Sequence, residues 1–298
     1  MIKRWLPMAG KVLAGGLLLG ALGLIAIYTL SEWALRQSEL PQLASLTLST
    51  DPTTIEHGRR IARTRGCFGC HGQSLEGQVF SEWEWVDRAI APALGPVARE
   101  ATVEDLDRAI RHGIGRDGRD LWSMPSYNFR RLSDEDTAAL LSYLRTVDTP
   151  PADLGVARLG LPTRLSLVLG EETTMATWAR AVPPLTLDPA AEPQLALGEY
   201  LAMTSCNECH GLDLRGQTQY DSTPDLSILV AYDRDEFEGL MRNGVARDGR
   251  DDLPLMSMVA RDRFGAWTDE EMDALYAFLR TLPEREIPRD VFWRPEGT

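Results

Sequence analysis

The sequence predicts an all-α protein: one N-terminal transmembrane helix followed by two copies of a small helical domain. Three observations carry that prediction. A single uncharged apolar stretch runs from Val12 to Leu30, an internal repeat occupies most of the remainder, and apolar residues recur at helical spacing behind capping residues. No stretch shows convincing strand alternation. At 298 residues the chain exceeds the usual size of one compact domain, which agrees with a modular reading.

The elements follow in chain order. Residues 12–30 match the ~20 residues that a spanning helix needs. Lys3, Arg4 and Lys11 precede this stretch and Glu32 follows it, so the positive-inside rule leaves residues 1–11 in the cytoplasm. The rest then lies on the periplasmic side of the inner membrane, with Trp5 and Trp33 suited to the two interfaces. A cleaved signal peptide is the rival reading, but the apolar run exceeds a typical core of about 7–15 residues and no clear A-x-A site follows. Residues 31–54 read as a tether, 55–149 as the first domain, 150–193 as a proline- and alanine-rich linker, 194–283 as the second domain and 284–298 as a tail. Within the linker, the apolar piece LGLPTRLSLVLG suits either the membrane surface or a position packed across both domains.

Self-comparison defines the repeat. His71-Gly72-Gln73-Ser74-Leu75-Glu76-Gly77-Gln78 pairs with His210-Gly211-Leu212-Asp213-Leu214-Arg215-Gly216-Gln217, and Arg116-Asp117-Gly118-Arg119-Asp120 recurs as Arg247-Asp248-Gly249-Arg250-Asp251. The closing segments from Ser133 and Thr268 also agree. Ser133 with Asp136, and Thr268 with Glu271, form the S/T-x-x-D/E opening of a helix, and Pro150 and Pro283 lie just beyond the far ends. Shorter helices are expected over Thr102 to His112 and Asp233 to Asn243, with another leading into each cysteine motif.

The chain has four cysteines, as Cys67-Phe68-Gly69-Cys70-His71 and Cys206-Asn207-Glu208-Cys209-His210. Each set is C-x-x-C-H, the attachment pattern of c-type haem: two thiols form thioethers to the porphyrin, and the adjacent imidazole reaches the iron. Competing readings are a zinc site, a pair of disulfides and a thioredoxin-like redox pair. None gives a role to the histidine that directly follows each pair. The expected cofactors are therefore two covalently attached haem c groups, with His71 and His210 as iron ligands.

The ligand opposite histidine is expected to be methionine. Met124, in LWSMPSY, lies between the repeated RDGRD stretch and the closing helix, and the same count from the following leucine reaches Met256, with Met258 as its close rival. A buried methionine is more often core filling, so position in the repeat carries this argument. The remaining histidines are weaker candidates, because His57 falls opposite Leu197 and His112 opposite Asn243.

With these residues in view, the chain resembles class I cytochromes c over both units, and most closely the membrane-anchored diheme forms and the cytochrome subunits of periplasmic dehydrogenases. The resemblance implies that a proline carbonyl orients each proximal imidazole, a role that falls on Pro92 and Pro224. It also implies close packing of Gly58 on Tyr143 and of Gly198 on Phe278. The second methionine loop departs from the simpler M-P pattern. Saturated iron implies one-electron exchange without catalysis at the haem, so the expected function is relay between a periplasmic-side donor and an acceptor of a respiratory or photosynthetic chain. The alternatives are a cytochrome subunit of a periplasmic dehydrogenase complex and, less favoured, a diheme peroxidase. A formal charge of −13 disfavours nucleic acid and permits docking to a basic redox partner protein.

Overall fold

The computed structural model describes residues 5–83, 86–217, 222–288 and 291–293, with side chains from Lys11 on. Lys3 and Arg4, the side chain of Trp5 and residues 294–298 of the tail lie outside the described residues. The first helix, α1 (Trp5–Ala34), is longer than the uncharged stretch, and Lys11–Ala34 is long and apolar enough to cross a membrane. Its side chains are largely exposed until Ser31 and Leu35, which are buried against the body of the protein.

The first domain opens with α2 (Pro52–Thr64). The carboxylate of Asp51 accepts from the amides of Thr53 and Thr54, satisfying donors that have no partner inside the helix. The attachment segment is the short α3 (Cys67–His71). A hairpin follows, β1 (Gln78–Glu82) paired antiparallel with β2 (Arg88–Ala91) so that Gln78 faces Ala91. This corrects the expectation of no strand. Its buried face is confined to the small residues Ala89 and Ala91 of β2 while β1 is half-buried to exposed, so alternation does not announce it. Then come α4 (Leu94–Glu100), α5 (Val103–His112) behind a Thr102/Asp105 capping box, and α6 (Asp134–Thr146) capped by Ser133.

Two helices occupy the linker. α7 (Leu161–Leu169) packs along the end of α1, and α8 (Met175–Ala181) packs on α5 and on the turn Ser126–Phe129. Arg164 makes the first contact specific: Nη1 donates to Ser31 Oγ at 2.8 Å and to Glu32 Oε1 at 2.9 Å, and its guanidinium lies 4.5 Å from the Tyr28 ring centroid. The apolar piece of the linker thus rests on α1 and does not bridge the domains. The bridging falls to Trp178 and Val182, which join the core of the second domain.

The second domain repeats the first with α9 (Pro193–Ser205), α10 (Asn207–His210), α11 (Arg234–Asn243), α12 (Met256–Arg263) and α13 (Asp269–Leu279). In both halves the opening and closing helices cross where a glycine lets backbones meet. A Cβ on Gly58 would stand 2.0 Å from the Ala139 carbonyl oxygen and 2.9 Å from Tyr143 Cβ; on Gly198 it would stand 2.1 Å from the Ala274 oxygen and 2.5 Å from Phe278 Cβ. The crossing buries Leu140 and Leu141 in one half and Leu275 and Phe278 in the other, each contributing about 1.5–3 kcal/mol.

The domains meet through matching contacts. Arg60 on α2 pairs with Glu271 on α13 at 2.5 Å, and Tyr200, at the matching place on α9, donates its hydroxyl to Asp136 on α6. Asp136 and Glu271 hold the same position in their helices. The interface therefore repeats itself about an approximate two-fold relation.

Candidate haem-binding sites

In the first domain the segment Cys67–His71 opens onto a largely apolar cavity of about 320 Å³, whose lining includes Cys67, Cys70, His71, Pro92 and Met124. His71 is buried, and its Nδ1 lies 2.8 Å from the carbonyl oxygen of Pro92. A carbonyl only accepts, so Nδ1 carries the proton and Nε2 keeps its lone pair for a metal. Burial lowers the His71 pKa against the opposing pull of the Pro92 bond, which favours the neutral ring.

The repeated H-G-x-x-L-x-G-Q sequence explains how proline reaches histidine. The amide of Gly77 donates to the His71 carbonyl at 2.8 Å, turning the chain back, and the amide of Leu94 donates to the Leu75 carbonyl at 3.0 Å. Gly77 has φ +86°, and a Cβ there would stand 3.0 Å from both the Ala91 oxygen and the Pro92 carbonyl carbon. A glycine is required on both counts. Leu75 occupies the left-handed region at φ +59° although it is a buried leucine, so the surrounding contacts impose this turn at a local cost. Gln78 closes the loop, donating from Nε2 to the Gly69 carbonyl at 2.6 Å.

The second domain rebuilds the same device. His210 Nδ1 lies 2.9 Å from the Pro224 carbonyl, the amide of Gly216 donates to the His210 carbonyl at 2.8 Å, and Leu214 has φ +63°. Burial lowers the His210 pKa as well. A Cβ on Gly216 would meet the Thr223 oxygen at 2.4 Å. Met256 begins α12 and packs on the core that contains Cys206, whereas Met258 is 50% exposed. The structure thus brings Met124 to the cavity of His71 and packs Met256 on the core of the second domain, while Met258 is exposed.

The alternative histidines are engaged elsewhere. His57 Nε2 is 2.7 Å from Asp136 Oδ1, and His112 closes α5; neither lines the cavity. Burial raises the thiols of Cys67 and Cys206 to about 12. That is the reverse of the lowered thiol a thioredoxin-like pair requires. A neutral imidazole with a free lone pair, adjacent sulfurs and an apolar cavity with a thioether on its wall suit a covalently held haem.

The apolar lining, such as Leu94, Leu106 and Phe129, was not named from the sequence, and neither was one acidic residue. Glu208 belongs to the second attachment segment but lines the first cavity, and its Oε2 accepts from Arg263 Nη1 at 3.0 Å. The only signal in the sequence is a glutamate between two cysteines, which identifies no partner from another repeat.

The family described as Cytochrome c matches residues 55–148 and 195–283. Among curated proteins the chain is similar to the fructose dehydrogenase cytochrome subunit of Gluconobacter japonicus, 24% identical over 78% of this chain and 47% of that protein. It is 25% identical to the cytochrome c subunit of the quinone alcohol dehydrogenase of Gluconobacter oxydans, over 78% of this chain and 55% of that protein. It is 24% identical to the gluconate 2-dehydrogenase cytochrome c subunit of Pantoea cypripedii, over 80% and 62%. The chain spans about half the length of the curated relatives it matches.

Proposed function

This chain belongs to the cytochrome c family, and from that premise we propose that it is the electron-relay subunit of a dehydrogenase complex, anchored in the inner membrane by α1 with both domains on the periplasmic side. Cys67 and Cys70 hold one haem c and Cys206 and Cys209 a second. His71 with Met124, and His210 with Met256, ligate the two irons. Bound haem supplies a one-electron couple, and thioether donation from methionine favours the reduced state. The chain's residues orient and shield it: the Pro92 and Pro224 carbonyls fix the imidazole tautomers, and the apolar walls exclude water. The observation that carries the reading is the Nδ1 bond of His71 to Pro92 inside a cavity that also holds Met124 and both sulfurs. The dehydrogenase is the favoured partner, ahead of a free-standing respiratory or photosynthetic relay, because the relatives are named as cytochrome subunits of dehydrogenases.

Two measurements test this. Mass analysis of the membrane-expressed protein is expected to show two haem additions, with one lost when Cys67 and Cys70 are replaced by serine and the other when Cys206 and Cys209 are. Gentle detergent purification from the native host is expected to retain a dehydrogenase. A high-spin, peroxide-reactive oxidised haem would overturn the relay in favour of a peroxidase.

A further inference from the structure

We propose that Arg263 and Glu208 form a charge-balanced clasp between the two attachment segments and serve as positioning residues for electron exchange between the two haems. The proposal rests on the haem reading above. Glu208 lies between Cys206 and Cys209 yet lines the cavity of the first site beside Cys67 and Cys70. Arg263 comes from the second domain but lies over the first attachment segment: a Cβ on Gly66 would stand 2.3 Å from its Cζ, and one on Gly69 would stand 3.4 Å from Nη2. One ion pair therefore touches both segments. Its side chains are only 17% and 21% exposed, so solvent screens it weakly.

The place of this pair in the repeat supports a specific role. Asn128 stands five residues before the cap Ser133 and Arg263 five before the cap Thr268, so the two are counterparts. Both reach Glu208, Asn128 Nδ2 from one half at 3.5 Å and Arg263 Nη1 from the other at 3.0 Å. The neighbouring Asn207 Nδ2 donates to the Tyr127 carbonyl at 3.3 Å. Asn128, in the turn after Met124, and Arg263, at the end of the helix that Met256 begins, thus both hold Glu208 where the two attachment segments meet. Only Arg263 does so with a full charge.

The step served is the passage of one electron, one iron oxidised as the other is reduced, with no bond broken and no proton moved. A cation left alone beside the first site would favour its ferrous state, and an anion left alone would favour the ferric state. Paired, the two nearly cancel. The test is spectroelectrochemical titration of the holoprotein in detergent, with mass analysis of the same samples. Arg263→Gln is expected to lower the midpoint potential of the first haem and Glu208→Gln to raise it. The double variant is expected to return close to the parent value, and Arg263→Lys to hold it. Single variants that shift the same way, or not at all, with both haem additions present would overturn the clasp, as would a shift in Arg263→Lys equal to that of Arg263→Gln. Absence of haem from the parent protein would instead overturn the reading beneath it, and the clasp with it.

Discussion

The RDGRD turn of the first domain is packed into the molecule, and that of the second stands in solvent. In the first, Asp120 is buried and accepts from Ser38 and Thr174, its amide donates to the Leu35 carbonyl at 2.6 Å, and Arg119 reaches Glu32 at 2.9 Å. In the second, Arg250 pairs with its neighbour Asp248 and Asp251 is exposed. The ion networks between helices differ in the same way. Arg111 and Asp107 are a buried pair, with Arg111 also reaching Asp134 at 2.7 Å and the Leu132 carbonyl at 3.2 Å. The matching Arg242 reaches Glu238, Asp269 and the Trp267 carbonyl, in the same pattern but nearer the surface. The repeat has kept a hydrogen-bond pattern while the surroundings decide what that pattern contributes.

The sharpest way to break this comparison is to remove one arginine at a time. Arg111→Ala leaves Asp107 buried without its cation and is expected to cost about 3–5 kcal/mol. Arg242→Ala, whose partners keep solvent, is expected to cost clearly less in the same thermal or denaturant unfolding assay. Equal losses would mean that burial is not what separates the halves.

A second test asks where the halves are alike. Both helix crossings require glycine for the same reason, so Gly58→Ala and Gly198→Ala are each expected to destabilise by about 2–3 kcal/mol. Circular dichroism melts of the two variants check this, and a loss confined to one would show that only one crossing is tight.

The smallest effect concerns His112, which takes the place of Asn243. Burial, and then the nearby positive charge of Arg130, hold its pKa down to about 4 from an ordinary 6.5. Below 6.5 the unfolded chain binds a proton that the folded chain refuses until about pH 4, so stability declines as pH falls through that window. Because the ring is only partly buried, the total is expected to be about 1 kcal/mol. Stability measured from pH 7 to pH 4 in His112→Asn should lack this component of the slope.

Much of this architecture was legible before any coordinates. The attachment motifs and the capped helices are short-range patterns that the repeat states twice, whereas the proline partners and the glycine crossings join residues far apart in the chain and were expected from the resemblance to class I cytochromes c. The hairpin at Gln78 was not legible, because its buried alternation is confined to the two small residues Ala89 and Ala91. Nor was the resting place of the linker helix, since LPTRLSLVL is apolar enough for several surroundings and only Arg164 with Ser31 and Glu32 selects one. Arg263 escaped notice for a related reason. Its counterpart is the uncharged Asn128, so the repeat does not mark it, and the Gly66–Gly69 stretch it lies over belongs to the opposite domain.

Glu32 joins three parts of the molecule. Arg119 from the first domain and Arg164 from the linker both converge on its Oε1, each at 2.9 Å. These pairs, with Leu35 and Ser31 buried beside them, tie the end of the first helix to the first domain and the linker. Under the haem reading proposed above, the orientation of the first site would follow that of the first helix.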